Sequence, residues 1–176
     1  MIRDIHLFGS SALRTRSAEV TIVDDSVRKF IDDLFETMDA AKGVGLAANQ
    51  VGVTTRVAVV GVEDDRFVMI NPTITSAEGR ARAEEGCLSI PDVYGEVTRP
   101  ERIVLEALDR EGSPFQRELD GYVARAVQHE IDHLDGILFL DHLSLLKREL
   151  LLRRWKKENR GGDLIRKVVP EPDKPG

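Results

Sequence analysis

The stretch YVARAVQHEIDHLDG, residues 122–136, constrains this chain more than any other. Val123, Val127, Ile131 and Leu134 recur at helical spacing, so the segment is a helix with one apolar side, and Asp135-Gly136 stops it. The same helix carries His129 and His133. Residues at i and i+4 stand one above the other, so both rings can aim a nitrogen at one point. Glu130 directly follows the first histidine and can reach a water held at that point. A helix with two solvated or core-satisfied histidines is the plainer reading, but the glutamate favours a metal site.

The elements around this helix follow from local pattern. DDSVRKFIDDLFETMDAAKG (24–43) spaces its apolar residues helically between N-capping aspartates and Gly43 at the C-cap. GVGLAANQVG (43–52) is too rich in glycine and alanine for a helix interior and reads as a loop where backbone approaches something closely. Residues 55–62, 66–72, 102–109 and 114–121 read as short strands between turn residues. EEGCLSIPDVYGEV (84–97) lies among them as a Gly-flanked turn.

A basic amphipathic helix is expected over residues 143–159, with Leu145, Leu146, Leu150 and Leu151 inward and Arg153, Arg154, Lys156 and Lys157 toward its far end. The expected fold is α+β, over residues 1–160 as a single domain. Short antiparallel strands pack around the central metal-binding helix, with an N-terminal and a C-terminal helix. Residues 161–176 form a mobile tail, with Gly and Pro at its ends.

A catalytic metal needs a third ligand and a position left for water. Cys87, His142 and His6 are the candidates. His142 lies beyond the Asp135-Gly136 stop, and His6 has no supporting motif. Cys87 sits in a turn from which a thiolate could project. A lone cysteine is more often a small buried hydrophobe, and a Cys-His nucleophile is a further alternative; spacing does not choose.

Composition excludes other classes. A net charge of −6 argues against nucleic-acid binding by the whole surface and gives no specific nucleic-acid partner. No apolar run approaches the roughly 18 residues of a membrane span, and MIRDIHLFGSSALRTRS has no signal-peptide core. A single cysteine allows no internal disulfide. The expectation is a cytoplasmic protein with no membrane partner.

Three segments in order, GVGLAANQ (43–50), EGCLS (85–89) and QHEIDH (128–133), resemble the peptide deformylases, with similarity from residue 2 to about 150. The resemblance implies a metal held by Cys87, His129 and His133 with water completing a tetrahedron. The metal it implies is one Fe²⁺ per chain, for which Zn²⁺, Co²⁺ or Ni²⁺ can substitute. It implies hydrolysis of the formyl group from the N-terminal formylmethionine of new polypeptides, releasing formate. Glu130 would accept and return the proton, and the Gln50 amide and the Leu88 N–H would face the developing oxyanion.

The resemblance also implies that Gly43, Gly45 and Gly86 let substrate backbone pass and that Val44, Tyr122 and Ala126 line a methionine pocket. Plain turn and core roles remain for these residues. Arg99 is either a partner of Glu85 or a solvated charge. DVYGEVTRP (92–100) departs from the more basic or aliphatic run of many relatives, which leaves the preference after methionine open.

A zincin-type peptidase shares the helix but would need a later third ligand, and Cys87 in EGCLS argues against it. A binding module that had lost its chemistry would have lost Gln50, Cys87 or Glu130. Residues 147–160 hold seven Lys/Arg against two Glu. On charge alone this is a solvated helix covering the core, while the resemblance implies docking at the ribosome.

Overall fold

The computed structural model describes residues 1–170. A five-stranded antiparallel sheet forms its centre, in the order β2 (Gly45–Ala47), β3 (Val57–Val62), β4 (Asp65–Glu78), β7 (Arg102–Leu108) and β8 (Pro114–Asp120). Successive side chains in a strand point to opposite faces. Val57 and Val59 therefore pack under α1 (Asp25–Ala40) with Ile31, Leu34 and Met38. Ala58 and Val60 face α2 (Gly121–Leu134), where Val127, Ile131 and Leu134 meet Leu105 and Leu119. Both faces are covered, so β3 reads as a continuous apolar run. Each such Leu, Ile or Val contributes roughly 1.5–3 kcal/mol by leaving water.

Outside this sheet, β5 (Ala81–Cys87) and β6 (Ile90–Arg99) form a hairpin, and β1 (Ile5–His6) pairs with β9 (Ile165–Arg166). A third cluster joins Ile90, Val93 and Val97 of the hairpin to Leu138, Phe139 and Trp155. Trp155 belongs to α3 (Leu145–Glu158).

Four details differ from the sequence reading. At the end of α1 the left-handed residue is Lys42, at φ 59°, and the Gly43 N–H returns to Met38 O at 2.9 Å. Gly43 instead leaves room for Leu88: a Cβ there would lie 2.7 Å from Leu88 Cδ1. The strand expected to end at Pro72 continues to Glu78 because Asn71, at φ 51°, takes up a bulge. The Asn71 side chain compensates, accepting from Val20 N at 2.8 Å and donating to Val20 O at 2.9 Å.

Residues 84–97 are mostly hairpin, with the turn confined to Leu88-Ser89. Finally, Leu145, Leu146 and Leu150 of α3 are exposed; its inward side is Leu151, Leu152 and Trp155. In the segment expected to be a tail, Ile165 and Arg166 pair with Ile5 and His6, and residues 171–176 lie outside the described residues.

Candidate metal centre

The hairpin turn, the end of β2 and the polar side of α2 converge on one point. Cys87 Sγ, His129 Nε2 and His133 Nε2 lie within 4.8 Å of one another. The two imidazole nitrogens are 3.1 Å apart, and His133 Nε2 is 3.2 Å from the sulfur. Three lone-pair donors this close repel one another unless a cation or proton lies among them. Burial lowers the basicity of both rings, yet bonds to Cys87 and Glu85 raise His129 to about 10. The charge on His129 adds to burial in holding His133 well below its usual value. A cysteine sulfur with two imidazole nitrogens is a donor set for a late divalent ion. The residues fit a metal.

The His129 ring is aimed by a neighbour. Glu85 Oε1 accepts a hydrogen bond from His129 Nδ1 at 2.9 Å, which turns Nε2 toward the cluster. Glu85 is buried, and burial opposes its ionisation. Hydrogen bonds from His129 and Arg99 outweigh that and hold the carboxyl well below the usual range. Arg99, itself 4% exposed, grips Glu85 through Nε at 2.6 Å and Nη2 at 2.9 Å and reaches Asp132 at 2.8 Å. It is a buried partner of Glu85 and not a solvated charge.

Arg125 adds a second guanidinium on Glu85 at 2.5 Å. Sequence reasoning missed it, because a charged residue one turn before His129 looks like any solvent-facing arginine. Asn49 was also missed: it is fully buried and its Nδ2 donates to the His133 carbonyl. The only available hint was its place inside the glycine-rich segment.

Gln50 Oε1 accepts from Ala47 N at 3.0 Å, so its NH₂ turns to Ser89 Oγ at 3.1 Å and Cys87 Sγ at 3.6 Å. Glu130 is buried, and Gly45 explains how it fits. A Cβ at Gly45 would come within 2.7 Å of Glu130 Oε1. Burial raises the Glu130 carboxyl to about 7, against the opposing charges of His129 and Arg99. Its Oε2 finds no hydrogen-bond partner among the described residues.

Gly43, Val44, Gly45, Gly86, Tyr122 and Ala126 all line one cleft of about 640 Å³. Gln50, Cys87, Leu88, His129 and Glu130 line it as well, whereas His133 supports it from beneath at 1% exposure. Gly86 serves the hairpin too, since a Cβ there would strike the Tyr94 ring at 2.7 Å. The other two histidines lie elsewhere. His6 Nδ1 bonds Ser10 Oγ at 2.8 Å, and His142 Nε2 bonds Asp132 at 2.7 Å.

A carboxylate raised toward neutrality, next to a thiolate–imidazole metal site in an open cleft, is the equipment of a metal-dependent hydrolase. Comparison with known proteins narrows that class. A family described as polypeptide deformylase matches residues 2–149. The peptide deformylase of Chromohalobacter salexigens is 50% identical over 157 residues, covering 87% of this chain and 92% of that protein. The Pseudomonas aeruginosa peptide deformylase is 44% identical, covering 90% and 97%.

Among solved structures, the Legionella pneumophila peptide deformylase superposes with a TM-score of 0.86 at 42% identity, covering 91% of this chain and 96% of that one. The Ehrlichia chaffeensis enzyme in complex with actinonin gives 0.87 at 39% identity, covering 90% and 98%. The chain belongs to the polypeptide deformylase family, metal-dependent hydrolases that remove the N-formyl group from nascent polypeptides.

Proposed function

We propose that Cys87, His129 and His133 hold Fe²⁺ in this chain, and that Glu130, Gln50 and Leu88 do the proton and charge work of deformylation within a catalytic domain of residues 1–160. The observation that carries this reading is Glu130: buried between the two histidine ligands, raised to about 7, and with an unsatisfied Oε2. An ion held there supplies Lewis acidity, polarising a carbonyl and lowering the pKa of water.

The protein's own groups do the rest. Glu130 takes a proton from water as the water oxygen bonds to the formyl carbon. The formyl oxygen gains negative charge and meets the Gln50 NH₂, already turned into the cleft, and the Leu88 N–H of the hairpin turn. The C–N bond then breaks, and Glu130 returns its proton to the amine. Formate and a free N-terminus leave. Val44, Tyr122 and Ala126 flank the methionine side chain, and Gly43, Gly45 and Gly86 let substrate backbone approach.

The test pairs metal analysis of anaerobically purified protein with formate release from a formyl-Met peptide. About one iron per chain and metal-dependent release are expected. Equal turnover after complete metal removal overturns the reading. The Ehrlichia enzyme is seen with actinonin; the same compound should raise the melting temperature here.

The proposal extends to where the enzyme works: in the cytoplasm, beside the ribosome. No helix among the described residues is long and apolar enough to cross a membrane. On α3, exposed Leu145, Leu146 and Leu150 accompany exposed Arg153, Arg154, Lys156 and Lys157. A mixed apolar and cationic face suits a polyanionic, protein-bearing surface, with an affinity that falls as salt rises.

A further inference from the structure

The metal centre, the methionine pocket and the family match all lie within residues 2–149. The cleft does not. Arg166, from the far end of the chain, is one of its lining residues.

The segment that carries Arg166 is held in place by backbone hydrogen bonds. Ile5 pairs with Arg166 and His6 with Ile165. Leu7 N–H donates to Leu164 O at 2.7 Å, and the next residue, Phe8, donates to Ser89 O at 2.9 Å. Ser89 is next to Leu88 in the hairpin turn. Ile5 is fully buried, which anchors β1, and Gly9, at φ +107°, lets Leu164 come to within 3.1 Å of where its Cβ would be. A continuous run of main-chain bonds thus links the catalytic turn, through the N-terminal strand, to the residues just before Arg166.

Arg166 is exposed, and no ion pair engages it among the described residues. Besides Glu85, Arg125, His129 and Glu130 at the metal centre, the charged residues that share the cleft lining with it are Glu84 and Asp92 on the hairpin and Lys42 after α1. A guanidinium is a planar fork that matches a carboxylate with two parallel hydrogen bonds. The formyl group must reach the metal ligands, so the chain beyond methionine leaves along the cleft toward its rim.

We infer that β9 is part of the substrate cleft and that Arg166 is a specificity residue, favouring a carboxylate on the peptide downstream of formylmethionine. This rests on the cleft being the deformylation site. In a nascent chain the carboxylate is an Asp or Glu side chain; in a short peptide it is also the free C-terminus.

The test is kcat/KM, by formate release, for C-terminally amidated formyl-Met peptides carrying Asp or Lys at the second, third or fourth position. The parent should prefer Asp at one or more positions, and the preference should shrink at high salt. Arg166→Glu should shift the Asp-to-Lys ratio at that position by about 5-fold or more toward Lys, from an exposed pair worth up to ~1 kcal/mol and its repulsive reversal. Arg166→Lys should keep the direction of the preference. Arg160→Glu, an exposed charge outside the cleft lining, should leave the ratio as in the parent.

A second peptide set with free C-termini separates the two carboxylate sources. A loss in Arg166→Glu that is common to Asp and Lys peptides with free C-termini and absent from the amidated set assigns the contact to the chain end. An Asp-to-Lys ratio unchanged by Arg166→Glu, with no loss specific to the free C-termini, overturns the proposal while leaving the deformylase reading intact. No formate from any formyl-Met peptide overturns the reading of the cleft itself, and this inference with it.

Discussion

Replacing Glu130 by alanine removes a carboxylate whose Oε2 bonds nothing among the described residues, so little of the fold depends on it. Glu130→Ala should therefore keep its metal and melting behaviour while kcat falls about 10²-fold or more, the usual cost of losing a positioned base. Near-normal turnover would remove Glu130 from the mechanism. Cys87→Ser tests a different atom. A hydroxyl is a poor substitute for a thiolate on a late divalent ion, so metal affinity should drop together with activity, as read by dialysis against a chelator. Undiminished affinity would show that the sulfur is no ligand. For Gln50→Leu, the lost bond is one that strengthens as charge develops on oxygen, so kcat should fall far more than KM changes. A change in KM alone would make Gln50 a substrate-binding group.

Among the elements, the hairpin and α2 are joined by one buried carboxylate. Glu85 binds Arg99, Arg125 and His129 at once. Glu85→Gln keeps the shape but leaves two guanidiniums without their shared counter-charge. Breaking a buried pair in this way costs about 3–5 kcal/mol, and the ring it orients should lose about 10- to 100-fold in metal affinity. Calorimetry and metal titration together check this; a loss of stability with unchanged affinity would mean that Glu85 holds the hairpin without aiming His129. That hairpin was not legible in the sequence. The buried positions of β6 alternate as Val93, Gly95, Val97 and Arg99, and two of these four are not apolar. Glycine sits there because Leu143 fills its space, and arginine because Glu85 waits for it. The central helix, by contrast, was legible from its own apolar spacing.

Over the whole molecule, ion pairs tie distant parts of the chain together. Asp33 is held by Arg3 and the N-terminal amine, Asp65 by Arg117 and Asp141 by Arg14, across separations of 30, 52 and 127 residues. Despite the opposing effect of burial, these carboxyls, like Glu85, are held below their ordinary values. The unfolded chain then binds more protons than the native one, so their contribution is complete above the ordinary values of 3.8 for Asp and 4.5 for Glu and is lost as pH falls below them. Thermal melts from pH 7 to 3 should show a plateau and then a steep acid decline; a flat profile would deny these pairs a role.

The basic helix is tested at the same scale. Truncation within α3 would strip Trp155, 6% exposed, from the core, so Arg153→Glu with Lys157→Glu is the cleaner change. Ribosome co-sedimentation should weaken in that variant and fall with salt; unchanged binding would leave α3 as core cover.

The sequence by itself determined the local chemistry. Three ordered motifs carry the residues proposed as metal ligands, base and amide donor, because an i, i+4 histidine pair and a glycine-rich turn are set by a few adjacent residues. Only the tertiary structure decided what lay far apart in the chain. It brought Cys87, rather than His6 or His142, to the histidine pair, turned Arg99 inward, exposed Leu145, Leu146 and Leu150 of α3 and brought Arg166 to the cleft. Each depends on which surface comes to cover which, and burial against a distant partner leaves no periodic trace in the segment that is buried.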